Sequence, residues 1–306
     1  MNINKTSDDF DIYDLFSKII KRKLIIFVIV ILSFIVSASL SLLIPNKYLS
    51  SATLYVNEPI NQQSSSDFGG IAAIVGIAGS GGYSKIDLAR EMLYSRVFLN
   101  NLIKKDDVLL NIFASKSFDS SSKKIIYNPK LYDDKSKKWV ALNNNGIKAE
   151  PTMLQVQKKY NEIIEFSEDK KSGFVKISVL HHSPIFAHDF LQLIINELNS
   201  LSRLDALEDA QESLTFLEAK LATTQQLDLR ESLLELIGAQ LEKQMVATVQ
   251  LQYILKVLDN PVIPEKKMSP NRTMIVILGT IFGFVLSIIY VLILENYLRR
   301  INLYRN

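Results

Sequence analysis

Apolar residues run without a charge through 24–44 and again through 273–294, and nothing comparable lies between them. A bilayer core of roughly 30 Å needs about 20 helical residues at ~1.5 Å rise, so each run predicts a membrane-spanning helix. The long stretch 45–272 is mostly polar and charged. Two spans put both ends of a chain on one side of a membrane and its middle on the other. The basic residues Lys18, Lys21, Arg22 and Lys23 precede the first run, while Lys47 alone follows closely. Basic flanks stay in the cytoplasm, so residues 1–23 and 295–306 are expected to be cytoplasmic tails and the middle to be translocated. The first run is long for a signal-peptide core and lacks a small-x-small cleavage site before Pro45, so it is expected to stay as an anchor.

Within the middle, two regimes follow one another. Residues 45–183 mix strand and helix patterns and predict an α+β base. YLSSATLYV at Tyr48–Val56 reads as a strand, as do 174–180, where Val175, Ile177 and Val179 alternate with polar residues, and 163–167. Residues 88–113 read as one helix. Residues 120–145, polar with aromatic islands at Tyr127, Tyr132 and Trp139, read as an irregular insertion.

The stretch 184–258 carries Pro184 at its start, then no proline and a single glycine, Gly238. Leu214, Leu217 and Leu221, then Leu234, Ile237, Leu241 and Met245, keep 3–4 spacing, which predicts a long coiled-coil-like arm. The pattern falters at 222–228, where a bend returns a second helix towards the membrane. A lone arm would leave its apolar stripe wet, so packing against other copies is expected. Residues 259–272 contain Pro261, Pro264, Ser269, Pro270 and Arg272 and read as a stiff extended strap before the second span.

Small residues recur at four-residue spacing in both apolar runs: Ser33, Ser37 and Ser41 in the first, Gly279, Gly283 and Ser287 in the second. Such rows let helix backbones approach closely in lipid, within a chain or between chains. An amphipathic spacing over 11–20 suits a helix on the membrane surface or a simple extension of the span.

Chemistry-bearing patterns are sparse. Gly76 and Gly81 in the glycine-rich 69–82 have P-loop spacing, but Gly82 and Tyr83 stand where lysine and serine or threonine belong. The three histidines, His181, His182 and His188, lack metal-ligand spacing and are expected to be solvated. Asp106-Asp107 and Asp133-Asp134 sit in lysine-rich surface sequence. No nucleophile, base and oxyanion set can be assembled, so no catalytic residue, metal or cofactor is expected. A net charge of +3 gives no argument for nucleic acid, and the absence of cysteine excludes disulfides.

Taken together, several stretches resemble the Wzz-type chain-length determinants, polysaccharide co-polymerases of Gram-negative inner membranes. They are the basic entry to the first span, YLSSATLYV, GGIAAIVGIAGSGG, IIYNPKLYDDKSKKWV and, most specific, LIGAQLEKQMVATVQLQYILKVLDNPVIPEKKMSPNR. Asn271 departs from the basic residue usual at that place. The resemblance implies a periplasmic α+β base with a helical arm, assembled as a ring of identical subunits. It implies control of O-antigen or related polymer length beside an inner-membrane polymerase, with contact to the growing lipid-linked polysaccharide and without catalysis. An export adaptor for capsule or exopolysaccharide is the alternative within the same superfamily. Some members carry a tyrosine kinase after the second span; 295–306, with Tyr297 and Tyr304, is expected to be a short tail instead. A receptor would need a cytoplasmic output domain, and an enzyme a catalytic cluster.

Overall fold

The computed structural model describes residues 22–56, 84–105, 107–140 and 150–305. The amphipathic stretch 11–20, the glycine-rich 69–82 and Asp106 lie outside the described residues. The chain divides into two compact units, one made of Met1–Asn46 with Met268–Asn306 and the other of Lys47–Lys267.

Among its described residues the first unit holds two helices, α1 (Lys23–Leu43) and α8 (Arg272–Arg305). Each carries a stretch long and apolar enough to cross a membrane, Lys23–Leu43 and Arg272–Leu294. Leu24, Phe27, Leu32 and Phe34 on α1, and Leu278, Ile281, Phe282 and Ile293 on α8, face outward. Helices apolar on every side suit a hydrocarbon surround.

The second unit is α+β. Its main sheet is antiparallel throughout, in the order β6 (Ile164–Glu168), β7 (Val175–His181), β1 (Tyr48–Val56), β8 (Leu255–Asp259). Ser50, Ala52 and Leu54 of β1 turn inward at the two-residue period of a strand. With Val175, Ile177 and Val179, Ala52 and Leu54 meet Ala187, Phe190, Leu191, Ile194 and Leu198 on the first turns of α6 (Pro184–Thr223). Ser183 caps that helix by accepting from the Phe186 amide, and Pro184 occupies its first turn, where no intrahelical N–H is needed.

Where one helix was expected over 88–113, three form: α2 (Lys85–Tyr94), α3 (Arg96–Ile103) and α4 (Val108–Ala114). Ser95 makes the first break. Its backbone N–H closes α2 onto the Met92 carbonyl while its hydroxyl accepts from the Phe98 amide and opens α3. Asp107, in the left-handed region at φ 59°, precedes α4. The breaks let Leu93, Phe98, Leu99, Leu102 and Ile112 all reach the core.

The expected irregular insertion is also corrected. Its strand β3 (Lys124–Tyr127) pairs in a hairpin with β2 (Ser115–Asp119), which lies just before it, and a two-residue ladder of β4 (Tyr132–Asp133) and β5 (Lys138–Trp139) follows. Edge-to-face contacts Tyr127–Tyr132, Tyr132–Trp139 and Phe113–Trp139 hold them together. A further helix, α5 (Met153–Ile163), opens on a capping box formed by Thr152 and Gln155 and is not among the expected elements. Its Tyr160 is fully buried, donates to the Leu93 carbonyl at 3.0 Å and meets Phe190 edge-on.

Helix does not continue to Leu258 as expected. After α6 the chain breaks at Thr224–Gln226, α7 (Leu227–Val249) follows, and the backbone then leaves helix and pairs as β8 beside β1. The cause is Asn199. Its amide nitrogen donates to the Ile195 and Leu255 carbonyls, and its Oδ1 accepts from the Ile254 and Leu255 amides.

Candidate functional site: helix pair, strap and arm

The small-residue rows of the two apolar helices face each other within the chain. A Cβ on Gly279 would stand 2.5 Å from Cβ of Ser37, and a Cβ on Gly283 would overlap Ser33. Gly279 thus opposes Ser37 while Gly283 opposes Ser33, so the helices run antiparallel. Ser33 Oγ donates to the Gly279 carbonyl at 2.8 Å. Ser37 turns back to the Phe34 carbonyl, and Ser287 to that of Phe284. Ser41, Ser287 and Val291 are buried on the same pair of faces. Ser41 Oγ has no hydrogen-bond partner among the described residues. Arg272, at the start of α8, donates to Asn46 Oδ1 at 3.2 Å.

The strap divides between the two units. In the larger unit Pro261 is buried and Pro264 half-buried, and the Val262 carbonyl between them accepts from Ser50 Oγ of β1 at 3.0 Å. In the other, Ser269, joined to Pro270 through a cis peptide, is half-buried.

The arm residues separate into two groups. On α6, Ala206, Ala210, Leu214 and Leu217 form a buried stripe against α7. The opposing stripe of α7 holds Gln240 and Ala247. Gln244 donates to Gln211 and Lys243 pairs with Asp209, while nearer the break Arg230 reaches Leu221, so the two helices form an antiparallel hairpin. At its tip Arg230 donates to the Leu221 and Thr224 carbonyls, satisfying acceptors that the end of α6 leaves free. Leu221 and Ile237 are half-buried. Leu234, Leu241 and Met245 are 55%, 45% and 68% exposed. The heptad pattern alone did not separate these two groups, because both share one spacing.

The histidines are corrected. His181 is buried, not solvated. Its Nδ1 accepts from the Ser183 amide at 3.0 Å, so the neutral ring carries its proton on Nε2. That nitrogen lies 3.0 Å from the Asn111 carbonyl and 2.9 Å from Ser115 Oγ. Burial holds the pKa down at about 4; the Asn111 carbonyl pulls the other way. His188 pairs with the exposed Asp189. No group of three or more metal-ligating side chains is found among the described residues.

Comparison with known proteins places these elements. The Wzz family model, "Chain length determinant protein", matches residues 8–105. The GNVR model, "G-rich domain on putative tyrosine kinase", matches residues 225–296, which take in α7, the strap and the apolar part of α8. No curated protein sequence matches. Similar solved structures include two polysaccharide co-polymerases. A "full-length bacterial polysaccharide co-polymerase" is 14% identical with a TM-score of 0.38, over 94% of this chain and 98% of that one. A "Fragment of WzzB, Polysaccharide Co-polymerase from Salmonella Typhimurium" is 13% identical with a TM-score of 0.30, over 73% of this chain and 100% of that one. The family models carry the assignment: the first takes in α1 and the second the apolar part of α8, and on them the chain carries a Wzz chain length determinant domain and a GNVR domain.

Proposed function

We propose that this protein sets the length to which lipopolysaccharide O-antigen, or a related lipid-linked polysaccharide, is polymerised. It acts as a non-catalytic, ring-forming co-polymerase beside an inner-membrane polymerase. One observation carries the reading: the two family matches fall on two antiparallel apolar helices paired through Gly279 and Gly283, with a folded α+β unit strung between them.

In this reading both termini are cytoplasmic, held there by Lys18, Lys21, Arg22 and Lys23, and residues 45–272 are periplasmic. Leu234, Leu241 and Met245 are covered by a neighbouring copy, and a head-to-tail contact of that kind closes into a ring. The strap of Pro261, Pro264, Ser269, Pro270 and Arg272 and the helix pair change how long the polymerase holds a growing chain.

Deleting the gene and separating the extracted polysaccharide on a gel tests the reading. A preferred length present in the parent and lost in the deletion, then restored by the intact gene, is expected. An unchanged length distribution overturns it.

A further inference from the structure

The face of α6 that carries Asn199 also carries Asn196, Ser200 and Arg203, at the three- and four-residue spacing that aligns side chains on one side of a helix. With Leu251 and Gln252 they enclose a cleft of about 330 Å³. That is at the small end of the ~300–1,000 Å³ range of ligand sites. Both walls are fixed. Asn199 spends all four of its hydrogen bonds clamping the 254–255 backbone to α6, and Gln252 Oε1 accepts from the Val257 amide. No carboxylate lines the cleft among the described residues. Arg203 is half-buried, and neither it nor Asn196 nor Ser200 has a hydrogen-bond or ion-pair partner among the described residues.

A guanidinium without a counter-ion presents a planar fork that fits a carboxylate or phosphate in bidentate fashion. The amide and hydroxyl of Asn196 and Ser200 can exchange hydrogen bonds with ring hydroxyls. Ile195 and Leu251 offer apolar surface for the C–H face of a pyranose. One anion, several hydroxyls and one apolar face are together the chemistry of a sugar acid. We infer that this cleft binds an acidic sugar unit of a polysaccharide, with Arg203 holding the carboxylate and Asn196 and Ser200 its hydroxyls. The inference rests on the proposed handling of a polysaccharide and names the kind of residue the protein would recognise.

The test is titration calorimetry on the purified full chain in detergent micelles, at constant pH and ionic strength, with sodium glucuronate, glucose and inorganic phosphate as separate probes. Glucuronate is expected to bind, and glucose to bind about tenfold more weakly, for want of a charge-assisted bond. Arg203→Gln should weaken glucuronate by about tenfold, Arg203→Lys by less, and Asn196→Ala by a few-fold. Circular dichroism checks that each variant is folded. Equal glucuronate binding by Arg203→Gln overturns the assignment. So does phosphate binding through Arg203 without glucuronate, which would point to a lipid-carrier phosphate, and so does failure of all three probes to bind. The readout is independent of polymer length. A chain that ignores glucuronate yet still sets length removes the site and leaves the proposed function standing.

Discussion

Ser33 Oγ donates a hydrogen bond to the carbonyl oxygen of Gly279 across 246 positions of sequence, at 2.8 Å. A serine hydroxyl reaches a neighbouring helix's carbonyl only when the backbones are close, and the missing side chains of Gly279, over Ser37, and Gly283, over Ser33, permit it. Gly283 repeats the arrangement one turn further on, over Ser33 itself. The bond and the close approach therefore depend on one another.

Gly283→Leu should separate the two helices, since the Ser33 side chain occupies the space a side chain needs. Overpacking of this kind costs about 1–3 kcal/mol. The variant is expected to lower the melting temperature in detergent and to alter polymer length in cells. Gly238→Ala is the matched control: nothing among the described residues lies within 4 Å of its Cβ position, so the substitution should stabilise α7 by about 0.5–1 kcal/mol.

Leu241→Glu combined with Met245→Glu tests the exposed row of α7. Both side chains are exposed in the single chain, so the fold should be kept. Charges placed in a contact between copies should break it. Light scattering in detergent is expected to show a smaller particle with unchanged circular dichroism. A particle of unaltered mass would remove this row from the assembly.

Asn199→Ala removes four hydrogen bonds and leaves the Ile254 and Leu255 amides and the Leu255 carbonyl facing a gap. Unsatisfied buried groups cost about 1–3 kcal/mol each, less whatever water recovers. Denaturant unfolding should show a loss of several kcal/mol. Hydrogen exchange should rise first in β8, which this residue holds beside β1.

His181 gives a pH dependence whose sign follows from its pKa of about 4 in the fold against 6.5 when unfolded. Between those values the unfolded chain binds the proton and the folded chain does not. Its contribution is therefore complete above about pH 6.5 and is lost as pH falls towards 4, by about 3 kcal/mol in all. Protonation would set an Nδ1–H against the Ser183 amide, the residue that caps α6. His181→Asn keeps an acceptor near that amide without titrating. Subtracting its stability curve from the parent's should isolate the slope between pH 6.5 and 4, and parallel curves would refute it.

The chain alone determined what depends on local pattern. Two uncharged runs of bilayer length, three strands of the main sheet and the helical arm with its break were legible, because each is a periodicity or its interruption. The bend expected at 222–228 falls at Thr224–Gln226, where the leucine spacing fails. The rows Ser33, Ser37, Ser41 and Gly279, Gly283, Ser287 could be read as faces, but their partner could not, since small residues fit a neighbour in the same chain or another equally well. Ser95 could have been read as a helix boundary from its capping chemistry, as could Thr152 with Gln155.

Only the tertiary structure decided the rest, and the reason is distance along the chain. β8 is a strand because Asn199, more than fifty positions earlier, claims its backbone groups, while its own residues would extend a helix. His181 is buried because α4 and β2 supply Asn111 and Ser115 from about 70 positions away. Of seven apolar arm residues with one spacing, Leu214 and Leu217 were turned inward and Leu234, Leu241 and Met245 outward by the way two helices dock. A hydrophobic period says that a face exists. What covers it is set by contacts that no local window contains.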